Sequence, residues 1–168
     1  IKTRYGLPDI FIYYPAALWP HKNHLKLLDV LCLLSDKFGL KLSLVLSGMS
    51  VGRKLDFQNE ISKRELQNSV HLLGYIPYKD IPGIYNLATL MIYPSLFEGF
   101  GIPLVEAMAC GCPIVCSNST SIPEVVGDAA LFFDPLSLEE MSSKIYKALS
   151  DEELRSKMIK LGLEQAKL

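Results

Sequence analysis

Several features that would assign a protein directly to a class are missing from this 168-residue sequence. No apolar run reaches the roughly 18 residues that a membrane-spanning helix needs. The net charge is only −1, so the composition predicts neither a basic nucleic-acid surface nor attraction to an anionic membrane. No Gly-x-Gly-x-x-Gly follows the first predicted strand, which disfavours a dinucleotide-dependent oxidoreductase. There is also no signal-peptide pattern and no initiator methionine, which suggests an excised fragment.

The composition is that of a folded globular chain. Apolar residues make up 49% and charged residues 21%, and the length suits one domain with a sizeable core. Cys110, Cys112 and Cys116 could be taken for a metal cluster, but Cys112 and Cys116 flank an apolar run, and Cys32 lies on an apolar helical face. We therefore expect reduced, structural cysteines and a cytoplasmic location.

Short apolar strands alternate with helical patterns along the chain. The predicted strands are residues 9–14, 41–46, 70–73, 89–93, 114–116 and 130–133. The predicted helices are residues 23–38, 53–67, 78–87, 103–111, 138–149 and 151–166. This alternation predicts an α/β domain with a parallel sheet of about six strands between two layers of helices. The loops that follow the strands should gather along one edge, where such sheets bind ligands.

Residues 94–111 carry the most informative pattern. Glu98 and Glu106 stand eight residues apart around a Gly-Phe-Gly turn that opens an apolar helix. Glycine allows a ligand to approach the backbone closely, Pro103 suits the first helical turn, and a helix N-terminus offers N–H groups to an anion. One carboxylate could face a reacting sugar carbon while the other accepts hydrogen bonds from a ribose.

This segment, PSLFEGFGIPLVEAMACGCPIV, resembles the Glu-x7-Glu signature of retaining, nucleotide-sugar-dependent glycosyltransferases, family 4 of the GT-B fold. Further matching segments follow in order along nearly the whole chain, at residues 21–23, 46–48, 73–77, 122–130 and 133–135. The resemblance implies a Rossmann-like three-layer domain that is one half of a GT-B fold. Residues 1–168 would form the C-terminal nucleotide-sugar-binding domain, and the N-terminal acceptor domain would be absent from this chain.

The resemblance also implies a donor site. Glu98 would contact the donor sugar as the catalytic residue, by orienting it, by stabilising positive charge or by nucleophilic attack. Many retaining members instead transfer the sugar on one face, with the leaving phosphate helping to deprotonate the acceptor. Lys22 would neutralise the diphosphate, and Glu106 would bind the ribose. The remaining donor-binding residues would contribute mainly backbone groups, namely Gly74, Tyr75 and Ile76 at the base and Gly99, Phe100, Gly101, Ile102, Leu104 and Val105 at the sugar and phosphates.

The sequence departs from the family pattern at Ala17, five residues before Lys22, where an arginine is usual. Arg53 could compensate, or it could be a plain surface arginine. His21 and His24 have helical spacing but no third ligand, so surface or capping roles are expected for both. No Asp-x-Asp occurs, which argues against a metal that bridges the diphosphate. We therefore expect no metal and no cofactor beside the donor itself.

The Pro-His-Lys-Asn-His segment resembles bacterial members that add mannose to surface polysaccharides, so GDP-mannose is the favoured donor. The implied function is retaining transfer to an acceptor glycan or lipid-linked saccharide held by the missing domain, in the cytoplasm or at the inner face of the membrane. We expect no membrane contact by this fragment and no transfer by it alone. A sugar-nucleotide epimerase and a catalytically degenerate structural module remain alternatives. Two other choices stay open: Tyr75 could be ordinary packing, and residues 117–121 could touch the ligand or form a solvated loop.

Overall fold

The computed structural model describes residues 1–48 and 54–168, and its central element is a parallel six-stranded sheet. The strands are β1 Phe11–Pro15, β2 Ser43–Ser47, β3 Val70–Gly74, β4 Leu90–Tyr93, β5 Ile114–Ser117 and β6 Ala130–Phe133. They are ordered β3-β2-β1-β4-β5-β6, and every neighbouring pair is parallel. The predicted α/β class and sheet are therefore confirmed.

Helices cover both faces of the sheet. They are α1 Lys2–Tyr5, α2 His24–Phe38, α3 Lys54–Lys63, α4 Ile81–Leu87, α5 Ile102–Ala109, α6 Ile122–Val126, α7 Leu138–Ser150 and α8 Glu152–Gln165. α2 packs against α3 and α7, whereas α5 packs against α4, α6 and α8. The two groups form the outer layers of a three-layer domain. The central strands β1 and β4 are almost entirely buried, as expected for strands covered on both faces.

The main differences from the predicted helices are two additional short helices, the end of α3, and the start of α4 at Ile81 rather than at residue 78, because residues 78–80 form a 3-10 turn. α1 and α6 are short, at four and five residues, and their sequences gave no periodic signal. α3 ends at Lys63 rather than at residue 67, because Glu65 has a left-handed backbone (φ 56°) that cannot continue a right-handed helix. The predicted start of α3 at residue 53 lies outside the described residues. α2 ends at Phe38, the predicted end, and is followed by Gly39 in the left-handed conformation (φ 64°).

The strand order reverses between β1 and β4. From β1 the chain proceeds to β2 and β3 on one side, and then returns to place β4 on the other side of β1. Open α/β sheets bind ligands beyond the carboxyl ends of their strands, at such a switch point. The loops that leave β1 and β4 at this point contain Lys22 and Glu98.

Candidate active site

Lys22 and Glu98 form an ion pair at the switch point. Lys22 Nζ donates a hydrogen bond to Glu98 Oε1 at 2.5 Å, and the two side chains are only 16% and 10% exposed. Lys22 Nζ also lies 5.7 Å from the centroid of the Tyr93 ring, where the ring face attracts the cation. The structure therefore brings the predicted phosphate-binding cation into direct contact with the predicted sugar-binding carboxylate.

The surroundings of Glu98 keep its carboxylate charged. Burial alone would raise the pKa of Glu98, but hydrogen bonds from Lys22, Ser95 and Tyr93 together with the charge of Lys22 outweigh burial and lower this pKa. Burial raises the pKa values of Tyr14 and Tyr93 well above the ordinary value, so both phenols stay protonated. Glu98 is thus an ionised carboxylate surrounded by hydrogen-bond donors.

Asn23 connects the loop after β1 to the loops after β4 and β6. Its side-chain amide donates to the carbonyls of Pro94 (3.1 Å) and Pro135 (2.9 Å), while its own backbone is left-handed (φ 61°). Asparagine adopts this conformation more readily than most residues, which was the available sequence signal for its role. On the other side, Ser117 Oγ donates to the Ser95 carbonyl at 2.6 Å. These bonds fix the loop that contains Glu98.

Glu106 is held by a buried tyrosine that the sequence did not single out. Tyr85, only 1% exposed, lies with its hydroxyl 3.2 Å from Glu106 Oε2, in position to donate a hydrogen bond. The Tyr85 ring packs edge-on against Tyr13 at 5.2 Å, and the Tyr13 hydroxyl lies 2.6 Å from Ser47 Oγ. The helical spacing of Tyr85 with its apolar neighbours indicated only packing. Its hydroxyl lies 3.2 Å from the Pro103 carbonyl as well, so it is placed between the start of α5 and the second carboxylate of the predicted pair.

The glycine turn before α5 contains two glycines with different constraints. Gly101 has a left-handed backbone (φ 91°), and a Cβ there would meet Leu104 Cδ1 at 2.9 Å. Gly99 has no such constraint, because a Cβ there would meet nothing within 4 Å. The backbone conformation and packing of the described chain thus explain why residue 101 is a glycine, but they do not explain the glycine at position 99.

The other predicted residues of this turn differ in accessibility. The Phe100 and Ile102 side chains are exposed at the edge of the sheet, whereas Leu104 is buried and Val105 is half-buried. The Leu104 N–H already donates to the Gly101 carbonyl at 2.8 Å. A ligand that bonds the Leu104 N–H would therefore have to share this donor with the Gly101 carbonyl.

The predicted base loop follows β3. Gly74 has a left-handed backbone (φ 69°), and its carbonyl accepts from the Gly48 N–H at 2.8 Å. Ile76 is buried, but Tyr75 is 73% exposed. The alternative that Tyr75 is ordinary core packing is therefore wrong.

Ala17 lies against the backbone of the neighbouring loop. A Cβ at Gly48 would lie 2.8 Å from both the Ala17 nitrogen and the Ala16 carbonyl carbon, so the loops after β1 and β2 touch backbone to backbone. Arg53, the possible replacement for the missing family arginine, lies outside the described residues.

His24 is a core residue, so the expected surface or capping role is wrong for it. It is 5% exposed, between the rings of Tyr14 (4.8 Å between centroids) and Phe57 (5.8 Å), and burial lowers the pKa of His24 to about 4. His21 is exposed, as expected. Within residues 1–48 and 54–168, no three His, Cys, Asp or Glu side chains form a group that could hold a metal.

The cysteines are all free thiols. Cys112 and Cys116 are buried, and burial raises the pKa of both thiols far above the ordinary value. Cys32 and Cys110 are half-buried. Their structural role, predicted from the sequence, agrees with these positions. Among the described helices, none combines the length and apolar character needed to cross a membrane.

With this geometry in view, comparison with known proteins identifies the family. Residues 2–165 match the family described as Glycosyl transferases group 1, so the chain belongs to this glycosyltransferase family. Over 158 residues it is 40% identical to the O-antigen chain mannosyltransferase B of Escherichia coli, a match that covers 94% of this chain and 41% of that protein. The chain thus spans less than half the length of this relative.

Solved structures show the same fold. HepE of Anabaena, determined in complex with UDP and glucose, superposes with a TM-score of 0.86 at 24% identity, over 98% of this chain and 46% of that one. The C-terminal domain of the group 1 glycosyltransferase LpcC from Francisella tularensis gives a TM-score of 0.82 at 22% identity, over 98% of this chain and 88% of that one. The Rossmann-like fold of a GT-B half is therefore confirmed.

Proposed function

We propose that residues 1–168 form the C-terminal, donor-binding domain of a retaining glycosyltransferase whose donor is GDP-mannose. The observation that carries the proposal is the Lys22–Glu98 ion pair at the switch point, with Glu106 on the helix that follows the same loop. The mannosyltransferase name of the 40% identical relative supports the sugar, and UDP in the HepE complex supports a nucleoside diphosphate as ligand class. The solved LpcC domain supports an independently folding unit of this extent.

In this proposal Lys22 changes partner when the donor binds. The donor diphosphate competes with Glu98 for the Lys22 ammonium. The ammonium then neutralises the diphosphate as a point charge. Glu98 stays ionised because the Ser95 and Tyr93 hydroxyls also lower its pKa, and its carboxylate then orients the sugar and stabilises positive charge at the anomeric carbon. Glu106, fixed by Tyr85, accepts hydrogen bonds from the ribose hydroxyls.

The donor and the acceptor themselves supply every bond and proton that changes in the transfer step. The bond from the anomeric carbon to the diphosphate oxygen breaks, and its electron pair leaves with the phosphate. The acceptor hydroxyl oxygen forms the new bond on the same face, and its proton passes to the departing phosphate oxygen. We propose that this reaction is metal-independent and cytoplasmic, that a domain elsewhere in a longer enzyme holds the acceptor, and that this chain alone transfers nothing.

Transfer assays on the longer parent enzyme test the proposal. With labelled GDP-mannose and a saccharide acceptor, we expect mannose transfer with retention of configuration, and a loss of at least about a hundredfold in Glu98→Gln. Glu164→Gln, which changes an exposed glutamate on α8, serves as the matched control and should leave the rate unchanged. Undiminished transfer by Glu98→Gln would contradict the proposed site. Conversion of the donor to its epimer without acceptor would identify the enzyme as an epimerase instead.

A further inference from the structure

The loop after β5 binds both backbone polar groups of Glu98. The Glu98 N–H donates to Thr120 Oγ1 at 3.1 Å, and the same hydroxyl donates to the Glu98 carbonyl at 3.1 Å. Ser121 Oγ also lies 3.1 Å from this carbonyl as a second donor. Both hydroxyls are thus hydrogen-bonded to the backbone of Glu98, the candidate catalytic residue. The sequence had suggested that residues 117–121 either touch the ligand or form a solvated loop, and neither interpretation included this contact.

Thr120 makes these contacts from an unfavourable backbone conformation. Its φ is 50°, in the left-handed region that β-branched residues rarely occupy. Such a conformation is energetically unfavourable and persists only where the surroundings enforce it. Thr120 is exposed, so core packing does not explain the conformation. The pair of hydrogen bonds to Glu98 is the interaction that this conformation makes possible.

We propose that Thr120 and Ser121 are positioning residues for Glu98, an inference that rests on the proposed function of this site. Their hydrogen bonds to the N–H and the carbonyl of Glu98 hold the backbone on both sides of its Cα. They thereby fix the Cα from which the carboxylate reaches Lys22 and the sugar. The hydrogen bonds of Thr120 are exposed to water, which competes for both partners, so they contribute little to the stability of the fold. Their consequence is the geometry of the carboxylate relative to the anomeric carbon.

Thr120→Val in the parent enzyme tests the inference, because it keeps the branched shape and removes the hydroxyl. We expect kcat to fall about tenfold to a hundredfold, the effect of displacing a reacting group by roughly 1 Å, with little change in the donor KM or in GDP affinity. The melting temperature should stay within about 2 °C of the wild type. Thr120→Ser keeps the hydroxyl and should restore most of kcat. Ser121→Ala should have a smaller effect, since Thr120 still bonds the same carbonyl.

Other outcomes separate failure of this inference from failure of the proposed function. If the wild type transfers mannose and Thr120→Val has the same kcat, or if Thr120→Ser is as impaired as Thr120→Val, the positioning role is wrong. A fall in melting temperature that parallels the fall in kcat would show a structural role instead. If the wild-type parent neither binds GDP nor transfers mannose, the proposed function is wrong and the inference falls with it.

Discussion

The ion pair between Lys22 and Glu98 makes a quantitative prediction about stability. In Lys22→Met the carboxylate of Glu98, only 10% exposed, loses its cation while it stays buried. Removal of one partner from a fully buried pair costs about 3–5 kcal/mol. Because this pair is partly exposed and the Ser95 and Tyr93 hydroxyls also lower the pKa of the Glu98 carboxyl, we expect a loss of about 2 kcal/mol at pH 7. Adding Glu98→Gln to the same chain should recover most of it.

The ion pair also predicts how the stability difference between Lys22→Met and the wild type changes with pH. In the wild type the pKa of Glu98 is lowered, so its stabilising contribution is complete above the ordinary carboxyl pKa and is lost only as pH falls through the lowered value. In Lys22→Met burial is no longer countered by the ammonium, so the pKa of Glu98 should rise. Protonation then relieves the buried charge, and the stability gap between variant and wild type should narrow as the pH falls from 7 to 5.

Urea unfolding of wild type, Lys22→Met, Glu98→Gln and the double variant at pH 7 and pH 5 gives the coupling energy. We expect a coupling of about 2 kcal/mol at pH 7 and a smaller one at pH 5. A coupling below about 0.5 kcal/mol, as for an exposed surface pair, would refute the description of Lys22 and Glu98 as a buried pair. A gap that does not change with pH would refute the argument about the pKa of Glu98.

Three further predictions follow from the glycines and from His24. Gly99→Ala should leave the melting temperature unchanged but weaken donor binding, since in the proposed site the donor approaches this backbone. Gly101→Ala should instead destabilise the chain by about 1 kcal/mol or more because of its left-handed backbone. Thermal unfolding with and without GDP-mannose distinguishes the two effects. Gly48→Ala should destabilise by about 2 kcal/mol in urea unfolding, since its Cβ would lie 2.8 Å from two backbone atoms; equal stability would mean that the loops move apart freely. His24 has a lowered pKa of about 4, so stability should fall as pH drops from the ordinary histidine pKa towards 4, and His24→Phe should flatten this limb of the pH profile. An unchanged limb would show that His24 is not the group that titrates.

The sequence predicted the sheet because alternating short apolar strands and helices have few other solutions. It also predicted that Lys22 and Glu98 lie at the same edge, since both follow strands. It could not give the strand order, because order depends on which buried strands pair across long separations in the chain. The direct ion pair depends on that order, which makes β1 and β4 neighbours.

Other parts of the site were beyond prediction for local reasons. The hydroxyl of Tyr85 reaches Glu106 only through the packing of α4 against α5, and helical spacing marks the ring but not its polar end. The bonds of Thr120 depend on a backbone conformation that its residue type disfavours. His24 was expected in a surface or capping role because it has no third metal ligand in the sequence pattern, but tertiary packing encloses it between two aromatic rings.

Calorimetric titration of this chain with GDP, UDP and ADP in the absence of metal tests the proposed donor site most directly. We expect one nucleotide, GDP, to bind selectively, and Lys22→Met and Glu106→Ala each to weaken binding about tenfold while Glu164→Gln does not. If the chain shows no binding, the same titration on the longer parent enzyme decides the matter. Absence of nucleotide binding there, or equal affinity in wild type and both site variants, would contradict the claim that this switch point is a donor site.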